Sequence, residues 1–500
     1  MNRICCILLY TLVPLLSSGH NHLQQAAESL ASGEVFDHAS VGIKITRADG
    51  EILADFQSNR LLVPASNMKL ISTGAALSHF GKDYRFPTRI AHDGTIEDGT
   101  LHGNLYIVGG ADPTLGSRDS IAVVLDKVFS QWEASIREAG IKKIDGHIIG
   151  DGRWLDGMME EETWLWNDIG TYYGSGVSGL NFYENMISFN ASVDFSQKSA
   201  SVKLSQHYPS TSWMTITQTC SVGEKSTGDR LYMYTSDLAP VAQIRGTYGI
   251  DRGSKRVDFS NKFPEYTCAV YFKNYLQKKG IECSKGAADT KLNTIWSEGN
   301  SLKTIATTWS PTLERIAFET NHASNNLYAE TLFRALGKDI CGSSGYEDSR
   351  EAMRMTLNRL GIDSNIGARI QDGSGLSRQN YISADFFCSF LKAMMNTSCF
   401  EEFLWSLPVP GGNGSLSYNM AGYPESQRCR IRVKSGSMNG VRCYSGYILP
   451  PGFTLEHGQK IPEDIKEQIV IFSILTNNCI SHSWHVRPAL DRFMAEIAGF

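Results

Sequence analysis

Residues 64–81 read PASNMKLISTGAALSHFG, and the reading of this stretch decides the fold. Pro64 stands just ahead of Ser66, apolar residues recur from Ser66 to Phe80 at helical spacing, and Gly81 closes the run. The pattern predicts a helix that starts at Ser66. Residues three apart share a helix face, so the Lys69 amine can approach the Ser66 hydroxyl. A serine nucleophile needs a base within hydrogen-bond reach, and a helix start adds a positive end beside a developing oxyanion. For Lys69 to accept a proton, burial or another cation nearby must weaken its hold on its own.

Upstream, Val41 to Phe56 alternates and predicts a hairpin with Asp49-Gly50 at its turn. Downstream, from about Arg89, glycine-rich turns separate short strands, with a helix expected over Asp119–Gly140. A β-rich stretch runs from about Met186 to Gly253, and Pro264–Gly280 is helical again. Leu313–Phe318 and Leu327–Leu336 predict two helices around a break at Asn321–Asn326. A helix at Ser383–Met395, strands at Ile431–Leu449 and Ile469–Thr476, and a closing helix at Arg487–Ile497 complete the chain. The two ends, residues 20–88 and 296–500, therefore read as one α/β unit. Residues 89–295 read as inserted accessory domains, with 186–253 as their inner β-rich part.

A chain of 500 residues is too long for one core, consistent with that division. The net charge of -5, with both signs interspersed, excludes the concentrated basic face that nucleic acid needs. Residues 1–19 read as a secretory signal: Arg3, an apolar run from Ile4 to Leu16, then Ser17, Ser18 and Gly19. The run falls short of the roughly 20 residues that span a bilayer, so no transmembrane anchor is expected. Removing the signal takes Cys5 and Cys6 from the 11 cysteines. No CxxC pair points to a metal site, and Cys429 and Cys443 could face each other across a hairpin. No phosphate-binding glycine loop follows a strand and no G-x-S-x-G occurs, so neither a nucleotide cofactor nor an α/β-hydrolase elbow is expected.

S-x-x-K alone says little, because Ser389-Phe390-Leu391-Lys392 also fits, in the middle of a predicted helix. Ser324-Asn325-Asn326 gives S-x-N in the break between two helices, a tripeptide that also starts at Ser188, Ser417 and Ser437. Lys434-Ser435-Gly436, on a predicted strand, is the chain's sole K-[ST]-G. Taken together and in this order, on helix start, interhelix turn and strand, the three form the constellation of penicillin-interacting serine enzymes.

With these motifs the chain resembles the class C low-molecular-mass penicillin-binding proteins, the D-alanyl-D-alanine carboxypeptidase/endopeptidases. The likeness runs from about Ala31 to the C-terminus. It includes Gly109-Gly110-Ala111-Asp112-Pro113, Gly150-Asp151-Gly152, residues 372–378 (DGSGLSR) and residues 407–414 (LPVPGGNG). The long gap between Lys69 and Ser324 resembles this group, whose extra domains lie between the first two motifs.

The resemblance implies a transpeptidase/β-lactamase-like α/β domain, an antiparallel sheet covered by helices, carrying a large β-rich insertion. It implies a serine peptidase acting on peptidoglycan stem peptides and cross-bridges in the periplasm, and acylated by β-lactam antibiotics. Ser66 would be the nucleophile and Lys69 its base. Ser324 and Lys434 would relay a proton to the leaving amine, and Asn326 would hold the substrate amide. Lys434, Ser435 and Gly436 would receive the terminal carboxylate, and the N–H groups of Ser66 and Ser437 would form the oxyanion hole. Asp168, within Trp166-Asn167-Asp168, would bind the free amine of a diamino acid, with Tyr173 as an aromatic wall. Arg378 and Asn439 would contact the rest of the stem. A β-lactamase of the same fold and a non-catalytic cell-wall binding protein stand as alternatives.

Overall fold

The computed structural model describes residues 22–196, 199–292, 302–363 and 365–500. The signal reading of residues 1–19 lies outside the described residues. Of the described chain, residues up to Lys82, Ala317–Asn325 and Arg350–Phe500 form one compact unit, and Asp83–Ile316 with Asn326–Ser349 form a second.

The first unit is built on a five-stranded sheet. Its strands are β1 (Ser40–Arg47), β2 (Ile52–Phe56), β3 (Ile431–Met438), β4 (Val441–Ile448) and β5 (Val470–Asn477), in the order β2-β1-β5-β4-β3 with every neighbour antiparallel. All eight residues of β5 are buried, which is why its sequence is a continuous apolar run instead of an alternation. The Asp49 carboxylate accepts the Glu51 N–H at 2.9 Å and Gly50 takes φ +104, so the expected Asp49-Gly50 turn joins β1 to β2. Asn439-Gly440, with Gly440 at φ +75, turns β3 into β4.

The helix over residues 22–31 and the closing helix Ser483–Gly499 bury Leu23, Ala27, Leu490 and Phe493 in a core with Ile43, Phe472 and Ile474 of the sheet. The helix Ala384–Met394 packs on β1, β4 and β5. It meets the helix Met68–Phe80 so closely that a Cβ on Gly74 would lie 2.7 Å from Phe390. The sheet is thus covered by helices, as the sequence leads one to expect. The edge strand β3 carries Lys434-Ser435-Gly436.

The second unit holds a five-stranded mixed sheet, in the order Ala287–Asp289, Ile148–Asp151, Leu105–Gly109, Pro87–His92, Lys303–Trp309. The helices Leu125–Glu138 and Pro264–Lys278 share its core, with the Phe272 ring 5.1 Å from both Phe129 and Trp132. The helix expected from Asp119 begins only at Leu125, because the chain first turns, with the Ala122 N–H on Asp119 O at 3.0 Å. Two three-stranded sheets follow between Met186 and Ser260, around a core of Ile187, Met233, Ile244 and Phe259.

Cys429 and Cys443 are free thiols. The register explains why they do not pair across the hairpin: Cys443 on β4 lies opposite Gly436, whereas Cys429 caps the short helix Glu425–Arg428 before β3 begins. Among the described residues no helix is long and apolar enough to cross a membrane.

Candidate active site

Ser66 sits in a single 3₁₀ turn, Ala65–Asn67, directly ahead of the helix Met68–Phe80. The α-helix therefore starts two residues later than its apolar spacing suggests. Ala65 is held at φ +47, a left-handed conformation that an alanine adopts only when its surroundings impose it. The surroundings do so from two sides. Fully buried Asn67 donates to Ser445 Oγ at 2.8 Å, and Ser445 lies 2.8 Å from Ser473, so the turn is pegged to β4 and β5. Gly436 on β3 comes so close that a Cβ there would overlap Pro64 O.

Lys69 is completely buried. Its Nζ lies 3.0 Å from Ser66 Oγ and donates to Ser374 O at 2.7 Å. The acceptor belongs to a loop that braces itself. Asp372 takes the N–H groups of Gly375 at 2.8 Å and Ser377 at 2.6 Å and the amide of Asn380 at 2.8 Å, while Ser72 Oγ donates to Gly373 O at 2.5 Å. Gly375, at φ +83, faces Ala65 O with no room for a side chain. The sequence flags DGSGLSR as a match but gives no sign that a carbonyl within it would orient Lys69.

On the opposite side, Lys434 is completely buried, with Nζ 3.0 Å from Ser324 Oγ and 3.0 Å from Ser435 O. Ser324 is reached through a left-handed residue conformation at φ +58, just after the helix Leu313–His322. Burial first, and the Lys69 charge second, push the Lys434 amine well below the ordinary lysine range. Two lysines within Coulombic reach in a dry site cannot both hold a proton cheaply. Asn321, fully buried, donates to Thr73 Oγ1 at 3.1 Å and Ser406 Oγ at 2.8 Å, tying the Ser324 turn to the Ser66 helix. His322 stacks on Phe318 at 3.9 Å; burial, then Arg432 and Lys434, pull it down to about 4, so it stays neutral.

Ser66, Lys69, Ser324, Lys434, Ser435 and Gly436 are thus gathered in the first unit. Ser435 is buried, Ser437 and Asn439 are exposed toward the end of β3 and in its turn, and Arg378 is half-buried at the end of the self-braced loop. Asn326 begins the helix Asn326–Cys341 of the second unit, and its amide donates to Tyr173 O at 2.8 Å. Tyr173 Oη in turn donates to Asp168 Oδ1 at 3.1 Å. Burial, and then the Asp168 charge, push the Tyr173 phenol up to about 12, so it remains a donor. The three residues share a surface with exposed Trp166, stacked on Tyr234 at 5.9 Å, and exposed Tyr172. Sequence reading treats Trp166 only as a neighbour of Asp168 and overlooks Tyr172. Among the described residues no group of three His, Cys, Asp or Glu is arranged to hold a metal ion.

Comparison with known proteins gives a family match over residues 23–497, to the D-Ala-D-Ala carboxypeptidase 3 (S13) family. The chain is 25% identical over 458 residues to a D-alanyl-D-alanine carboxypeptidase of Actinomadura sp. (strain R39), covering 86% of this chain and 79% of that protein. It is 25% identical over 475 residues to penicillin-sensitive carboxypeptidase A of Dictyostelium discoideum, covering 91% and 86%. The crystal structure of penicillin binding protein 4 from Haemophilus influenzae has the same fold, with a TM-score of 0.76 at 21% identity over 95% of this chain and 98% of that one.

Proposed function

The chain belongs to the D-Ala-D-Ala carboxypeptidase 3 (S13) family, and from that premise we propose that it is a serine DD-peptidase working through a Ser66 acyl-enzyme. The observation that carries the reading is the pair of buried lysine–serine contacts in the first unit: Lys69 at 3.0 Å from Ser66 Oγ, and Lys434 at 3.0 Å from Ser324 Oγ.

In this mechanism neutral Lys69 takes the Ser66 proton as Oγ attacks the carbonyl of the penultimate D-alanine. The N–H groups of Ser66 and Ser437 receive the oxyanion, each such donor contributing on the order of 3 kcal/mol to the transition state. Ser324, helped by Lys434, passes its proton to the departing amine and is reprotonated with the proton that Lys69 took from Ser66, which leaves Lys69 neutral again. The terminal carboxylate lies against Lys434, Ser435 and Gly436. Water then attacks the ester, with Lys69 taking its proton and returning it to Ser66 Oγ as the ester bond breaks. The missing side chain of Gly436 lets β3 approach Pro64, and on this reading it also leaves room for the peptide.

The peptide substrates on this reading are D-Ala-D-Ala stems and D-Ala–diaminopimelate cross-bridges of peptidoglycan, met in the periplasm. Asp168, flanked by Tyr173 and Trp166, offers a carboxylate among aromatic faces, which suits a primary ammonium. Asn326 holds a substrate amide, and Arg378 and Asn439 touch the remainder of the stem. A β-lactam mimics the D-Ala-D-Ala amide and acylates the same serine; the name of the Dictyostelium relative supports that sensitivity.

The test is labelling with a fluorescent penicillin, followed by intact mass and peptide mapping. A long-lived adduct on Ser66 is expected. Rapid penicillin turnover without a lasting adduct would make the protein a β-lactamase, and absence of any adduct on folded protein would favour a non-catalytic wall-binding role.

A further inference from the structure

Lys262 is completely buried in the second unit and belongs to none of the motifs. Its Nζ donates to Gly174 O at 2.8 Å and Ser175 O at 3.1 Å and sits 2.6 Å from the carboxylate of Glu160, which is also buried. Two carbonyls and a carboxylate around one nitrogen suit an ammonium, which has three N–H groups to give. Burying such an ion is costly, and a well-packed apolar pair in its place is often as stable or more so. The pair is therefore hard to explain as a stability device, and what it holds is informative.

It holds the turn Tyr172–Gly174. The segment from Trp166 to Ser175 is anchored at two points. Ser260 fixes its first half, giving Oγ–H to Ile169 O at 2.9 Å and N–H to Gly170 O at 3.0 Å. Lys262 fixes its second half. Between the anchors the chain folds back so tightly that a Cβ on Gly174 would overlap Asp168 O. That fold brings Tyr173 Oη to Asp168 and points Tyr173 O at the Asn326 amide.

We propose that Lys262, paired with Glu160, is a positioning residue for recognition of a cationic substrate side chain, fixing the Tyr172–Ser175 turn so that Asp168, Tyr173 and Asn326 keep one arrangement. This rests on the reading of Asp168 as the ammonium partner. Lys262 never meets substrate; it acts through the turn. Burial pulls its amine below the ordinary lysine range, and the Glu160 charge opposes that pull.

The experiment compares two D-Ala-D-Ala peptides, one with a free ω-amine at the third residue and one with that amine acetylated. Wild type is expected to favour the free amine. Asp168→Ala should erase that preference; if the preference survives, the reading of Asp168 falls. The double variant Lys262→Met/Glu160→Met removes the ion pair together and avoids leaving one buried charge alone. It should cut the free-amine preference at least tenfold, mainly through KM, and add little when combined with Asp168→Ala. A preference that Asp168→Ala erases but the double variant leaves intact overturns the role of Lys262 alone. So does a loss that falls equally on both peptides. Should the double variant fail to fold, Glu160→Gln keeps the shape and carries the same comparison at smaller amplitude, with an equal loss on both peptides again overturning the proposal.

Discussion

The molecule contains the same tetrapeptide pattern twice, and the two copies have little in common. Ser66-Asn67-Met68-Lys69 begins in a 3₁₀ turn behind a left-handed alanine, with its lysine completely buried and aimed at its own serine. Ser389-Phe390-Leu391-Lys392 lies inside the helix Ala384–Met394. There the serine is exposed and the lysine reaches away to donate to Asp49 O at 2.8 Å, clamping the β1–β2 turn. Spacing places a lysine near a serine in both. What distinguishes them is desolvation, a second cation, and a backbone that arrests one serine at the mouth of a helix.

The largest expected effect tests that contrast directly. Ser66→Ala should abolish penicillin acylation and reduce peptide hydrolysis by at least about 10⁴-fold, as for removal of a nucleophile acting in a unit. Ser389→Ala should change neither. Retained labelling in Ser66→Ala, mapped to another residue, would break the comparison.

How much of this was legible beforehand follows the same divide. Ser66, Lys69, Ser324, Lys434 and Ser435 announce themselves because the three motifs are written in side chains, and their order holds although more than two hundred residues separate Lys69 from Ser324. Ser374 is silent, because it works through a carbonyl that every residue has. The left-handed Ala65 is silent too, since no glycine marks it and tertiary contacts enforce it. Asn326 is legible as a motif residue, but its bond to Tyr173 O depends on a turn that local pattern does not encode. Among the elements, the alternating and continuously apolar strands of the first unit are readable. The helix Tyr346–Arg359 escapes, because Glu347, Asp348, Arg350, Glu351 and Arg354 blur its apolar face and only Ala352, Met353 and Leu357 mark the buried side.

The second cation sharpens the comparison. Lys434→Met removes the donor to Ser324 and should slow acylation by about 10² to 10³-fold. It also removes a buried amine whose protonated form burial disfavours, so the variant should be more stable by about 1 kcal/mol near neutral pH, a trade of stability for activity. The sign with pH follows from the lowered amine. Between its folded value and the ordinary lysine value, the unfolded chain binds the extra proton, so wild-type stability rises with pH across that window. The advantage of Lys434→Met should therefore be greatest on the acid side and shrink toward about pH 10. Thermal denaturation at several pH values measures it, and an advantage that grows with pH would contradict the buried-cation account.

Backbone arrest comes next in size. A Cβ at Gly375 would overlap Ala65 O, and its φ of +83 is itself unfavourable for alanine. Gly375→Ala should therefore displace both the Ser66 turn and the loop that orients Lys69. A shift of about 1 Å at a reacting group costs on the order of 10²-fold, so acylation should fall by about that factor in protein that still folds. Acylation at the wild-type rate would show that this packing does not set the position of Ser66.

The smallest effect belongs to the other copy of the pattern. Lys392 gives one exposed, charge-assisted hydrogen bond to Asp49 O, across 343 residues of chain, and its amine also fills the space where a Cβ on Gly50 would stand. Such a bond in contact with water contributes little, because solvent competes for both partners. Lys392→Met should lower stability by about 0.5 kcal/mol, with penicillin acylation and peptide hydrolysis unchanged. Hydrogen exchange offers the finer readout, since loosening should be confined to the amides around Asp49 and Gly50 while those of the Ser66 turn keep their protection. If Lys392→Met instead slowed acylation, the two lysines would be coupled through the shared packing of Gly74 on Phe390, and the tetrapeptide at Ser389 would have to be counted as part of what holds the reactive one in place.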